Sequence, residues 1–240
     1  MLFNLFWGDW TILIVIPGLI FTLYAQFKVK SAYTKGAQIP LPSVMTGASV
    51  ARRILDSNGL SDLPIEITQG HLSDHYDPRS RVLRLSPSVY HGNNVAAVGV
   101  AAHEAGHALQ HARGYVPLRF RNVIVPVCNF GARLAMPLFF IGLLLAVFSY
   151  NADGLMLAGI ALFSLTVFFQ LVTLPVEFNA SRRAMRCLEG SGTMSREQLR
   201  GSRQVLSAAA MTYVAALAVG LLSLLRLLVI FAGARSDQRR

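Results

Sequence analysis

Long apolar runs alternate along the chain with one extended polar stretch. Trp10–Phe27, Leu134–Val147 extending to Tyr150, Leu155–Leu174 and Met211–Phe231 all come close to the roughly 20 residues a helix needs to cross a bilayer core. The pattern predicts about four transmembrane helices, because a chain of 240 residues has too little polar covering to bury four such helices in a soluble core. No Lys or Arg precedes Lys28, so the first run lacks the basic start of a cleaved signal peptide and reads as a retained anchor.

The polar stretch, residues 28–133, has ordinary globular patterning. Pro40 and Pro42 mark a linker, and residues 43–58 carry helical apolar spacing through Val44, Ala48, Ala51 and Leu55, with Gly59 as a stop. Pro64–Thr68 alternates like a strand, and Arg81–Ser86 does so in part. Asp77, Pro78 and Ser80 are turn formers between them, which predicts a β-hairpin or small sheet. Asn93 or Asn94 can cap a helix running from Val95 through His103 to near Gly114. Tyr115–Arg133, interrupted by Pro117 and Pro126, suits a segment lying at a membrane surface.

Composition sharpens this picture. Hydrophobic residues make up 53% of the chain and charged ones 14%, a membrane-protein balance. The net charge of +10 could suggest nucleic acid, but the basic residues flank the apolar runs instead of interleaving with aromatics, so no nucleic-acid partner is expected. Lys28, Lys30, Lys35, Arg113, Arg119, Arg121 and Arg133 precede a stretch, residues 134–181, that has no Lys or Arg; Arg182, Arg183 and Arg186 follow it. By the positive-inside rule the polar region and the Arg182–Arg203 segment face the cytoplasm and the N-terminus lies outside. Four spans would then export Arg235, Arg239 and Arg240, and Arg226 interrupts the fourth run, so the side of the C-terminus stays open. Cys128 and Cys187 fall in the cytoplasmic segments and read as packing thiols.

The chemistry concentrates in His103-Glu104-Ala105-Gly106-His107. On a helix this HExxH spacing puts both imidazoles on one face, within reach of a single tetrahedral zinc, with Glu104 beside that face as a general base toward a water the metal makes more acidic. A catalytic zinc usually takes a third protein ligand. His111 lies a further turn along the helix and reads as a surface or core residue. Glu177 and Asp153 are the acidic candidates. Two spans return the chain to its starting side, which brings Glu177 back to the face holding His103 and leaves Asp153 on the opposite one. His71, Asp74, His75, Tyr76 and Asp77 form a second polar cluster, readable as a hydrogen-bonded turn, as an oxyanion-stabilising group, or as a strand able to pair with an extended peptide.

The segments HEAGHALQ (103–110), EFNASRRA (177–184), DHYDPRSRVLRLS (74–86) and AAAMTYVAA (208–216) together resemble the YugP-like membrane zinc metallopeptidases over about residues 30–230. More distantly, the helix-then-Glu order is similar to the HtpX-type membrane proteases, whose second motif is ExxxD; here Ser181 stands in place of that Asp. The resemblance implies Zn2+ as cofactor, His103, His107 and Glu177 as ligands and Glu104 as base. It further implies a mainly α membrane protein with a zincin-like HExxH helix and a small β element, acting on membrane-associated or damaged proteins. Such an enzyme would touch protein or peptide substrate and membrane lipid, and would sit in a bacterial inner membrane with its active site on the cytoplasmic side. The expected organisation is an anchor (1–27), a polar metallopeptidase region (28–133), a transmembrane hairpin (134–174), a third-ligand and Arg-rich segment (175–210) and a C-terminal membrane helix with tail (211–240). Two other readings compete with it: a site-2-type intramembrane metalloprotease using Asp153-Gly154, and a catalytically idle scaffold that keeps a structural metal.

Overall fold

A computed structural model describes residues 10–70, 73–148 and 152–238; His71, Tyr150, Arg239 and Arg240 lie outside the described residues. The elements in chain order are α1 (Ile12–Ala37), α2 (Gly47–Asp56), β1 (Ile65–Ile67), β2 (His75–Asp77), β3 (Val82–Leu85), α3 (Pro87–Tyr90), α4 (Val95–Ala112), α5 (Val116–Val147), α6 (Asp153–Gly190) and α7 (Arg196–Gln238). Among the described residues, α1, α5, α6 and α7 are the four helices long and apolar enough to cross a membrane. They also leave large apolar side chains uncovered, including Leu13, Leu19, Leu23, Phe130, Phe140, Leu171 and Leu221, which suits hydrocarbon as the surrounding medium.

The described residues fall into two compact units. One draws on residues 10–24, 120–148, 152–173 and 213–238, and the other on residues 25–70, 73–119 and 174–212. In the first, Phe139, Leu143, Met156, Ile160 and Leu227 form a buried cluster. Close approach within it depends on Gly159, where a Cβ would lie 2.7 Å from the carbonyl oxygen of Ala135. Asp153 and Arg235 meet in this unit at 3.7 Å.

The second unit contains the polar chemistry. α2 is capped by Thr46, whose hydroxyl accepts the N–H of Ser49, and it buries Gly47, Val50, Ala51, Ile54 and Leu55. These recur at helical spacing and meet Leu83, Leu85, Val89, Val98, Ala101, Ala102 and Leu109 in one core. α4 begins where the sequence predicts: the Asn94 side chain accepts the N–H of Ala97, and Gly114 follows the helix at φ +61°.

Two features differ in detail from the sequence expectation. The two alternating runs are strands, but they lie side by side in parallel (Ile65↔Leu83, Ile67↔Leu85). The antiparallel hairpin is made instead by β2 and β3, giving the sheet order β1-β3-β2. Residues read as turn formers supply both the end of β2, at Asp77, and the turn after it, where Arg81 takes φ 53°. The second difference is α5, a single helix through the segment expected to be broken after Tyr115. Pro117 sits in its first turn, where no intrahelical N–H bond is required, and Pro126 and Pro137 are carried inside it.

Candidate metal centre

α4 presents His103 and His107 one turn apart, and α6 brings Glu177 to them. The two helices can approach because residue 106 is glycine: a Cβ there would sit 2.6 Å from the carbonyl oxygen of Ala180. At this crossing the Nε2 atoms of His103 and His107 lie 3.3 and 3.5 Å from Oε2 of the buried Glu177. The three donors fall within 4.8 Å of one another. A tetrahedral zinc with bonds of ~2.0–2.1 Å holds neighbouring donors about 3.3–3.4 Å apart, so the two histidine-to-carboxylate spacings suit that ion.

The far side of each imidazole is held by a neutral partner. Ser181 Oγ lies 3.1 Å from Nδ1 of His103, and Gln110 Oε1 lies 3.0 Å from Nδ1 of His107. The orientation of the fully buried Gln110 is fixed, because its Nε2 donates to the backbone carbonyl of Val176 (2.8 Å) and to Oδ1 of Asn179 (3.0 Å). Its carbonyl oxygen must therefore face His107, so the proton of that ring sits on Nδ1 and the Nε2 lone pair points toward Glu177. Asn179 is itself held by Nε of Arg183 at 2.7 Å. The EFNASRR segment thus supplies Glu177 together with side chains that orient both histidines.

Glu104, between the two histidines in sequence, reaches the sheet. It is partly buried, and its Oε2 accepts the backbone N–H of Tyr76 at 3.1 Å. Loss of hydration is the largest influence on its acidity. His103 and the Tyr76 N–H favour the charged form, the Glu177 and Asp74 carboxylates oppose it, and the net effect pushes the carboxyl up to about 7. Tyr76 grips α4 at a second point, since its hydroxyl lies 2.7 Å from Nδ1 of His111. His111 is therefore occupied by Tyr76.

The rest of the second polar cluster is largely a bonded turn. Asp74 accepts both the N–H (2.7 Å) and the hydroxyl (3.0 Å) of Ser86. Asp77 takes the hydroxyl of Ser80 (2.6 Å) and the N–H of Arg79 (2.9 Å), and His75 Nδ1 lies 2.7 Å from the carbonyl of Ser73. Sequence reasoning missed Gln110, Asn179 and the bond made by Ser181. The available signal was position: Gln110 lies one helical turn after His107, and Asn179 and Ser181 stand two and four residues after Glu177.

Two histidines one turn apart and a carboxylate from a second helix are the donor set of a hydrolytic zinc site, here in a chain with four membrane-length helices. Residues 11–232 match the family described as "Putative neutral zinc metallopeptidase". The chain is 50% identical over 226 residues to "Putative membrane protease YugP" of Bacillus subtilis (strain 168), an alignment covering 94% of this chain and 98% of that protein. No solved structure matches. The chain belongs to this zinc metallopeptidase family; it is an integral membrane protein, and its cofactor is Zn2+.

Proposed function

We propose that the protein is a membrane-bound zinc endopeptidase in which His103, His107 and Glu177 hold the metal and Glu104 is the general base. The observation that carries this reading is the pair of 3.3 and 3.5 Å spacings between the histidine Nε2 atoms and Glu177, with each Nδ1 engaged elsewhere. Zinc held by His103, His107 and Glu177 would polarise a peptide carbonyl and make the attacking water more acidic. Glu104 takes the proton from that water as its oxygen attacks the carbonyl carbon, then delivers the proton to the departing amine nitrogen. Burial and the neighbouring carboxylates, which raise its pKa, make the ionised carboxylate a better acceptor for the water proton in the first transfer. β2 lies at the edge of the sheet with Tyr76 bonded to Glu104, which supports a role for this strand in aligning an extended peptide beside the base.

The site belongs to residues 28–133 together with 175–210, and the remaining segments anchor it. The charge pattern supports a site on the cytoplasmic face of the membrane, and the family resemblance is the basis for a bacterial inner-membrane location and for membrane-associated or damaged proteins as substrates. The decisive comparison is the purified wild type against Glu104→Gln, measuring zinc content and casein hydrolysis. The variant should retain a full equivalent of zinc and lose nearly all hydrolysis. Loss of metal along with activity would place Glu104 among the ligands and sink the assignment; unchanged hydrolysis would remove it from the reaction.

A further inference from the structure

A cavity of about 530 Å³ opens between α1 and α7 in the second unit, lined by Lys28, Lys35, Arg200 and Arg203 together with Ser31 and Ser207. Lys28, Ser31 and Lys35 recur at helical spacing on α1, and Arg200, Arg203 and Ser207 do so on α7, so each helix turns one basic, hydroxyl-bearing face into the same space. Among the described residues, no carboxylate lines it. Glu189 reaches Arg203 from outside the lining, which leaves the cavity with net positive charge.

Its place along the two helices points to a particular class of anion. Lys28 is the first basic residue after the apolar run of α1, and Met211, at the other end of the lining, opens the apolar run of α7. A bilayer places its phosphate groups at such a boundary, where a cationic pocket gains both charge pairing and hydroxyl hydrogen bonds. We propose that this cavity is a binding site for the headgroup of an anionic phospholipid. The proposal is independent of the peptidase reading.

An occupant bridging α1 and α7 would bear on α4, because the same stretches of both helices pack against its first turn. A Cβ on Gly36 would meet Ala96 at 3.2 Å, one on Gly201 would meet Val95 at 2.8 Å, and the Ser202 hydroxyl donates to the carbonyl of Val95. Lipid bound there therefore ties together the frame from which α4 starts.

The test uses the full-length, zinc-loaded protein in a neutral detergent, with phosphatidylglycerol or phosphatidylcholine added and retained lipid measured by native mass spectrometry. Each cationic group near an anionic headgroup is worth a factor of roughly five in affinity. Wild type should hold phosphatidylglycerol in preference to phosphatidylcholine, and Lys35→Gln/Arg200→Gln should weaken phosphatidylglycerol about 25-fold at unchanged zinc content. Lys35→Arg/Arg200→Lys should restore it, and Arg79→Gln, a charge lost from the exposed β2–β3 turn, should behave as wild type. Equal retention of both lipids by the wild type, unchanged binding in the double Gln variant, failed rescue, or an equal loss in Arg79→Gln would each overturn the site. Thermal protection by inorganic phosphate equal to that by phosphatidylglycerol would overturn the lipid assignment in favour of a soluble anion.

Discussion

The hydroxyl of Ser181 lies 3.1 Å from Nδ1 of His103, on the opposite side of that ring from Glu177. A hydroxyl can accept the Nδ1 proton and so keep Nε2 available to the metal, but it lends the ring less electron density than a carboxylate does. Groups that orient a ligand histidine typically contribute 10- to 100-fold in metal affinity. A neutral partner belongs at the low end, so Ser181→Ala should weaken zinc binding by roughly tenfold. Ser181→Asp should retain zinc at least as tightly as the wild type. Competition with a chromogenic chelator measures both; an unchanged affinity in Ser181→Ala would mean that the hydroxyl has no part in holding the ring.

Gly106 sets the spacing between the helix that carries the histidines and the helix that carries Glu177. A methyl at this position would lie 2.6 Å from the carbonyl oxygen of Ala180, a backbone atom that can yield only if α6 moves. Gly106→Ala gains a little helix propensity, yet overpacking of this kind costs on the order of 1–3 kcal/mol. We expect a lower melting temperature and a larger relative loss of zinc affinity, since Glu177 is displaced from both imidazoles together. A variant with wild-type melting and a full equivalent of zinc would show that the crossing tolerates a side chain.

The membrane-length helices and α4 were legible in the sequence because their signals are local: an unbroken apolar run, an Asn94 cap, a Gly114 stop. The partner of a strand is not local information. Alternation at Ile65–Ile67 and Val82–Leu85 identifies strands but does not say that they run parallel, nor that a third strand separates them in the chain. Prolines misled in α5, because Pro117 occupies a first-turn position and Pro126 is carried within the helix. The HExxH spacing points by local geometry to two candidate ligands and a candidate base, whereas Gln110 meets Asn179 across 69 residues of sequence and only the fold makes that pair.

The proposed orientation rests on charge asymmetry and can be tested on the second unit directly. His91 is exposed just before α4, so a cysteine at that position, with Cys128 and Cys187 replaced, reports the side on which the unit lies. It should resist a membrane-impermeant thiol reagent in intact cells and react after permeabilisation. Ready labelling of intact cells would place the site outside the cytoplasm.

Glu177 and Asp153 were the two acidic candidates for the third ligand, and their partners separate them. Glu177 is buried, with its carboxylate between the Nε2 atoms of His103 and His107. Asp153 opens α6 and pairs with Arg235 of α7 at 3.7 Å, so its charge already has a partner. With Glu177 as the proposed third ligand, Glu177→Ala takes away one of three candidate donors and leaves two imidazoles facing an emptied position. Zinc affinity should fall by orders of magnitude, and peptide hydrolysis with it. Asp153→Ala removes a half-exposed ion pair, an interaction worth no more than about 1 kcal/mol, and should leave both zinc content and hydrolysis near wild type. Each variant should be checked for membrane insertion and monodispersity, so that loss of metal is not confused with loss of fold. If Glu177→Ala kept its zinc while Asp153→Ala lost it, the metal would be held by the Asp-Gly arrangement of an intramembrane protease, and Glu177 would be reduced to an ion-pair partner of two histidines.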